Sequence, residues 1–310
     1  MILQNLLSCF CLIFMLSLSV NAAAITEEKS LDLTVLSYNI KGLPGIAGGY
    51  NNKKRMREIG RLLQERLRQG SAPDIVLIQE AFVGETKHLV NEANYPYVVY
   101  GPGKTANDES GDEITRLYGS GLILLSRHKV LGSQQVVFAK KDCGTWDCQS
   151  NKGVQLVEIQ VPGLPFNLSI ANTHLQSGRK YDEIRVLQMR TLKRFLAQHL
   201  NLESGFIFAG DFNSFPERKS FDYWLETTQL ENVGMQCIEQ KCESRKIASA
   251  NSAELLYTPD QHFYQNSLNV KKSDKFQLKP TKAYRNFKEI FMDKPLSDHL
   301  GYEVTYRINW

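Results

Sequence analysis

Short runs of apolar, β-forming residues recur along most of this chain, and several of them stop at a polar side chain. Leu33–Ile40 carries Asn39 at its end, Asp74–Glu80 closes on Glu80, and Phe166–His174 closes on His174. Phe206-Ile207-Phe208-Ala209 gives way to Gly210, Asp211 and Asn213. Residues two apart in an extended chain point to the same side, so Asp211 and Asn213 should emerge together at the mouth of a sheet. Taken alone, that pair fits an Asx-rich turn equally well. The recurrence is what points to a site: a buried strand excludes charge, so Glu80 belongs at a strand end or beside a strong partner.

Amphipathic segments separate the runs. Asn52–Gly70 places Met56, Ile59, Leu62, Leu63 and Leu67 among many charges, and Tyr181–Leu200 has the same helical character. With a helix between them, the first two strands should end at one edge of a sheet, making Asn39 and Glu80 neighbours. Further strands are expected at Tyr97–Tyr100, Gly121–Ser126, Gln134–Ala139, Gln155–Val161 and Tyr302–Arg307. Gly121–Ser126 and Gln134–Ala139 would form a hairpin around His128-Lys129, and Gly101–Leu117 reads as an exposed loop. The stretch from Asn251 to Tyr284 is aromatic, Lys-rich and without clear periodicity.

Leu6 to Val20 is almost continuously apolar, and small residues follow at Ala22-Ala23-Ala24. This reads as a secretory signal peptide over residues 1–22, leaving 23–310 as a single catalytic domain. The run is short for a membrane anchor. The chain is then secreted, into an extracellular or periplasmic space. Removing residues 1–22 takes Cys9 and Cys11 with it and leaves two matched pairs, Cys143/Cys148 and Cys237/Cys242. An even count in a secreted chain favours disulfides; of the three connectivities, the two short loops are the expected ones. A zinc site from the two pairs is the competing reading, with no His beside either. Hydrophobic content of 42% supports a substantial core, and a net charge of +4 permits an anionic partner without requiring one.

Five motifs in order, Leu36-Ser37-Tyr38-Asn39, Ile78-Gln79-Glu80, Asn172-Thr173-His174, Gly210-Asp211-Phe212-Asn213 and Ser297-Asp298-His299, resemble the series of the endonuclease/exonuclease/phosphatase superfamily. The closest resemblance is to secreted, bacterial-type neutral sphingomyelinases. It is carried by Gly42-Leu43-Pro44 after Asn39, by Gln79-Glu80-Ala81-Phe82, and by the block Phe138–Val154 with its Asn151-Lys152-Gly153 element. Arg185 and Gln188 also fit. The chain departs from the pattern before the last motif, where Thr258-Pro259-Asp260-Gln261-His262-Phe263 is the nearest match. It also lacks a clear counterpart of the aromatic membrane-inserting hairpin, for which Phe263–Phe291 is the candidate substitute.

The resemblance implies an α+β fold, a four-layer αββα sandwich with two mixed sheets face to face and helices outside, like DNase I. It implies Mg²⁺, with Mn²⁺ or Co²⁺ as alternatives, held by Glu80 with Asn39 and Asp298. It implies His299 as general base with Asp211 as the rival, Asn213 and His174 on the phosphate oxygens, Lys152 as a further phosphate contact, and Asp260 orienting His299. The implied substrate is sphingomyelin at a bilayer surface, with no obligate protein partner evident. A DNase-like nuclease, which would bind nucleic acid, and a phosphoinositide phosphatase are the alternatives within the superfamily; a non-catalytic secreted subunit is the alternative outside it.

Overall fold

The computed structural model describes residues 29–48, 51–201, 204–240, 242, 253–265 and 276–310. The expected signal segment 1–22 lies outside the described residues, as do 251–252 and 266–275 of the aperiodic stretch. Strands β1 (Ser30–Gly42), β2 (Ile75–Ala81), β3 (Tyr97–Tyr100) and β4 (Ile123–Ser126) come first. They are followed by β5 (Lys129–Val137), β6 (Gly153–Gln160), β7 (Leu168–His174) and β8 (Gly205–Asp211). The last four are β9 (Glu231–Asn232), β10 (Asp260–Tyr264), β11 (Gln277–Asn286) and β12 (Gly301–Asn309). One six-stranded sheet has the order β11-β12-β1-β2-β4-β3 and the other β9-β10-β8-β7-β6-β5. Each mixes one parallel pair, β1 with β2 or β7 with β8, with antiparallel neighbours.

Strand alternation sorts the apolar residues into three buried layers. Leu33 and Val35 face the opposite sheet and meet Ile75, Leu77, Ile170, Ile207 and Tyr306 there. Leu36, Tyr38 and Ile40 face outward, onto Met56, Ile59 and Leu63 of α1 (Asn52–Arg68) and Leu89 of α2 (Thr86–Ala93). On the far side, Phe206 and Phe208 meet Leu192 and Phe195 of α3 (Asp182–His199) and Trp224 of α4 (Lys219–Thr227). The result is the four-layer αββα sandwich expected, at about 1.5–3 kcal/mol for each large side chain fully buried.

The layer between the sheets changes character along its length. The same alternation that buries Val35, Leu77, Ile170 and Ala209 continues to Ser37 and Asn39, Gln79, Asn172 and His174, and Asp211, all buried. Gln79 Nε2 donates to Asn172 Oδ1 at 2.8 Å across the two sheets, so the transition is hydrogen-bonded. Gly210 is required here by space: a Cβ on it would come within 2.2 Å of the Thr173 carbonyl oxygen on the neighbouring strand. It is a close approach of two backbones that Gly210 serves, and β8 runs on through it to Asp211.

Three local expectations change. β4 and β5 do not form a hairpin: β4 pairs with β2 and β3, whereas β5 pairs with β6 in the other sheet. β4 is buried along its whole length and β5 is largely exposed, so the two suit different positions. Arg127 and His128 make the crossing, both held to the Asp74 carboxylate. Within Gly101–Leu117, Thr105–Asn107 and Glu113–Thr115 pair as a small antiparallel ribbon. The described parts of the aperiodic stretch supply β10 and much of β11, both paired in the main sheets. The expected disulfides Cys143–Cys148 and Cys237–Cys242 are both present.

Candidate active site

The polar end of the inter-sheet layer gathers most of the residues singled out in sequence. Asp211 is held from two sides: Asn39 Nδ2 donates to Oδ2 at 2.9 Å and the Asn213 amide donates to Oδ1 at 2.9 Å. His174 lies beside it, Nε2 being 3.5 Å from Asp211 Oδ2 and 3.8 Å from Glu80 Oε1. Ligand atoms of Glu80, His174 and Asp211 fall within 4.8 Å of one another, as do those of Asp211, Asp260 and His299. Asn213 turns its amide Nδ2 to the Leu175 carbonyl at 3.2 Å.

Glu80 reaches this cluster through its backbone. Gln79 is the residue whose parity points between the sheets, so a regular strand would turn Glu80 outward toward the helices. Instead Glu80 adopts φ 59°, and the β1–β2 register slips between Asn39 and Gly42. A non-glycine residue in this region costs of order 1–3 kcal/mol and persists where its surroundings enforce it. Burial raises the Glu80 carboxyl; Asn39 hydrogen-bonds to it and works the other way, and the charge of Asp211 adds to the rise. Two carboxylates about 4 Å apart repel by roughly 1–4 kcal/mol, depending on how much water screens them. A divalent cation relieves that repulsion, and the oxygen-rich set of Glu80, Asp211 and the Asn39 carboxamide suits Mg²⁺ or Mn²⁺. His174 is kept neutral: burial and the neighbouring Lys152 cation bring it down to about 4, so its Nε2 can accept from that ammonium.

Across the cluster stands a buried dyad. Asp260 is fully buried; Arg285 Nη2 donates to its Oδ2 at 2.8 Å, and His299 Nδ1 lies 3.0 and 3.1 Å from its two oxygens. Burial opposes charge on Asp260, but His299 and Arg285 outweigh it and hold the carboxyl well below the usual range. Burial likewise opposes charge on His299, and Asp260, followed by Asp211 and Asp298, pushes it up to about 10. With Nδ1 committed to Asp260, Nε2 is the ring atom that faces the cluster, 3.9 Å from Asp211 Oδ2. The orienting role expected of Asp260 thus has the matching geometry.

Two other candidates sit differently from expectation. Asp298 is half exposed and pairs with Lys41 Nζ at 2.7 Å, outside both ligand clusters. Lys152 is buried, and its ammonium meets Asp147 Oδ2 at 2.8 Å, the Leu175 carbonyl at 2.7 Å and His174 Nε2 at 3.0 Å. An ammonium has three donors, and here all three have partners inside the protein, so Lys152 supports His174 from behind. Sequence reasoning missed Asp147 and Arg285. Asp147 was visible only as the acid inside the Cys143–Cys148 loop, and Arg285 follows directly after the stretch that lacks periodicity. Arg185 and Gln188 are structural: Arg185 Nη1 donates to the carbonyls of Gln176 and Gly178, and Gln188 bridges the Gln176 amide to the Asp142 carbonyl.

A model of the Endonuclease/Exonuclease/phosphatase family matches residues 36–299, and the chain belongs to that family. Its members are hydrolases of phosphodiester bonds that depend on a divalent metal. No curated protein matches the chain in sequence. Among solved structures, beta toxin from Staphylococcus aureus, as a double mutant with bound magnesium ions, superposes with a TM-score of 0.62 at 20% identity, covering 88% of this chain and 99% of that one. Sphingomyelinase C from Streptomyces griseocarneus gives 0.59 at 20% identity, covering 89% and 99%. D. rerio TDP2 complexed with single strand DNA product gives 0.61 at 19% identity, covering 89% and 98%. The sandwich is therefore common to proteins with lipid-related and DNA-related names.

Proposed function

We propose that the chain is a secreted, Mg²⁺-dependent phosphodiesterase that hydrolyses sphingomyelin to ceramide and phosphocholine, acting as the single domain 23–310 once residues 1–22 are removed. The observation that carries the hydrolytic part is the Asp260–His299 dyad facing the Glu80, His174 and Asp211 cluster across a few ångströms. The choice of a lipid substrate is supported by the sphingomyelinase-like block Phe138–Val154 and by sphingomyelinases among the proteins that share the fold.

A water oxygen forms a bond to phosphorus as the bond to the ceramide oxygen breaks, in line and without a covalent enzyme intermediate. His299, when neutral, takes the water's proton at Nε2, while Asp260 keeps the Nδ1 proton and the ring orientation. Asp211 has hydrogen bonds on both oxygens, which fits it for orienting the reactants and leaves His299 as the base. Asn213 is assigned to hydrogen-bond phosphate oxygens as charge builds; His174, whose Nε2 accepts from Lys152, stands beside them without a free donor at that atom. Held by Glu80, Asn39 and Asp211, Mg²⁺ would supply neutralisation of phosphate charge and stabilisation of the departing alkoxide.

The test offers purified mature protein with Mg²⁺ to sphingomyelin liposomes, plasmid DNA and phosphatidylinositol phosphates in parallel. Phosphocholine release is expected. Rapid DNA nicking without phosphocholine release would sink the lipid reading and favour a nuclease.

A further inference from the structure

Trp146 is 81% exposed, the most exposed large hydrophobic side chain among the described residues. It sits inside the Cys143–Cys148 ring, in the connection between β5 and β6. The ring is fastened on every side. The Gly144 amide donates to Gln176 Oε1 at 2.7 Å, and Asp147 accepts from both Lys152 and the Ser177 amide. Gly144 lies so close to the Tyr181 ring that a Cβ would fall 2.6 Å from it. Thr145, next to the indole, is fixed in the left-handed region at φ 51°. A segment held this firmly presents its Trp outward by construction, and indole rings favour boundaries between water and an apolar phase.

The surroundings select what lies beyond that boundary. Lys140, Lys141, Arg179 and Lys180 are all exposed around the ring. Of the nearby acids, Asp147 pairs with Lys152, Asp182 with Arg185, Glu183 with Lys219 and Glu109 with Arg194, and Asp142 is buried. Asp112 and Glu113 are exposed across the cavity that Lys140 and Lys141 also line. β6 pairs antiparallel with β7, Val154 opposite Thr173, so the ring lies at the edge where His174 ends its strand. The ribbon of Ile290–Phe291 with Lys294–Pro295 joins β11 to β12 at the corresponding edge of the other sheet, with Ile290 72% exposed. Apolar tips thus flank the active edge from both sheets, and the one on the ring is set in a cationic surround.

We propose that the Cys143–Cys148 ring is a docking foot for a lipid bilayer bearing anionic headgroups: Trp146 enters the interfacial zone while the four basic side chains contact the charged surface, setting the His174 edge against the headgroups. This deepens the lipid reading above and rests on it. The probe is vesicles of sphingomyelin and phosphatidylcholine, with and without phosphatidylserine, mixed with full-length mature protein in EDTA so that binding is read without turnover. Of the three tryptophans Trp224 is fully buried and Trp310 is half-buried against the core, so the part of a vesicle-induced blue shift that is lost in Trp146→Ala reports on Trp146. The wild type should shift and co-sediment, more strongly with phosphatidylserine. Trp146→Ala should lose the shift and bind on the order of tenfold more weakly, Trp146→Phe should fall between, and Lys140→Glu with Lys141→Glu should remove the phosphatidylserine dependence. Trp146→Ala binding vesicles as the wild type does, or a wild type that binds duplex DNA and ignores vesicles, overturns the docking foot. Wild type that docks on vesicles yet releases no phosphocholine when Mg²⁺ is restored leaves the foot standing and removes the sphingomyelinase reading alone.

Discussion

The two ends of the layer between the sheets are built by the same strands and differ in nearly every physical respect. At one end Val35, Leu77, Ile170 and Ile207 close the gap with apolar contacts alone. At the other, two residues further along the same alternation, Asn39, Gln79, Asn172, His174 and Asp211 fill equivalent space with hydrogen bonds and partly opposed charges. The apolar end stabilises the fold whatever the solution contains. The polar end is destabilising in isolation, through crowded carboxylates and a left-handed Glu80, and the apolar end makes it tolerable. A sandwich can therefore carry a reactive edge because the cost and the compensation lie in the same strands.

If that division is right, changes at the two ends should separate activity from stability. The largest effect is expected from Glu80→Gln, Asp260→Asn and His299→Ala, each lowering turnover on the order of a hundredfold or more. In EDTA Glu80→Gln should keep its melting temperature or gain from the lost repulsion, whereas Asp260→Asn and His299→Ala, which break the buried pair, should lower theirs. An active His299→Ala enzyme would remove the assigned base. At the other end, Ile170→Ala should cost about 2–5 kcal/mol in urea titrations and leave the turnover of the folded fraction intact. If activity falls in step with stability, the two ends are not separable.

Mg²⁺ should stabilise the wild type by about 2.7 kcal/mol at a hundredfold excess over its dissociation constant, seen as a higher melting temperature that EDTA reverses. Glu80→Gln should show little or none of this shift. The next effect concerns protons. His262 is fully buried, donating from Nε2 to the Tyr302 carbonyl at 3.0 Å and facing the Tyr306 hydroxyl through Nδ1 at 3.1 Å. Burial brings it down to about 3. In the unfolded chain its value returns to about 6.5. Between those values the unfolded chain binds the extra proton, so the contribution is present above about pH 6.5 and is lost as pH falls toward 3, at up to about 1.4 kcal/mol per unit. Urea midpoints from pH 7 to 5 check this, and His262→Gln should flatten the profile. His299 runs the other way: its contribution is complete below about pH 6.5 and fades as pH rises toward 10.

The smallest effect compares the two disulfide rings. Loops of equal length should each contribute about 2 kcal/mol by chain entropy. Replacing Cys237 and Cys242 by Ser should lower stability only, since that ring starts within α5 (Val233–Gln240) with Cys237 buried in the apolar core. Replacing Cys143 and Cys148 should lower stability similarly and also reduce turnover, because Asp147 within that ring holds Lys152 against His174.

What the sequence could and could not show follows from the same contrast. Strand ends such as Glu80, His174 and Asp211 were legible because a charge closing an apolar run is conspicuous. Asp260 was legible only loosely and Arg285 not at all: their strands pair with partners distant in sequence, and part of that stretch has no strict alternation. The crossing at His128 was misread as a hairpin because periodicity identifies a strand without saying which sheet accepts it. Asp298, which the resemblance gives as a metal ligand, pairs with Lys41 here. The matched cysteine spacings foretold the bonds and said nothing of their different surroundings.

The pairing of β1 with β12 also bears on how the protein is made. Ser30 lies opposite Asn309, and Lys29 and Trp310 exchange backbone hydrogen bonds, so the first strand of the sheet receives a neighbour that is translated much later. β11 and His299 arrive just before it. A nascent chain therefore holds Glu80 and Asn39 long before it holds the dyad, and β1 waits for β12 as its partner on one side. The site cannot assemble until the His299 motif and β12 have both been translated, so its two halves meet only after most of the described residues have been made.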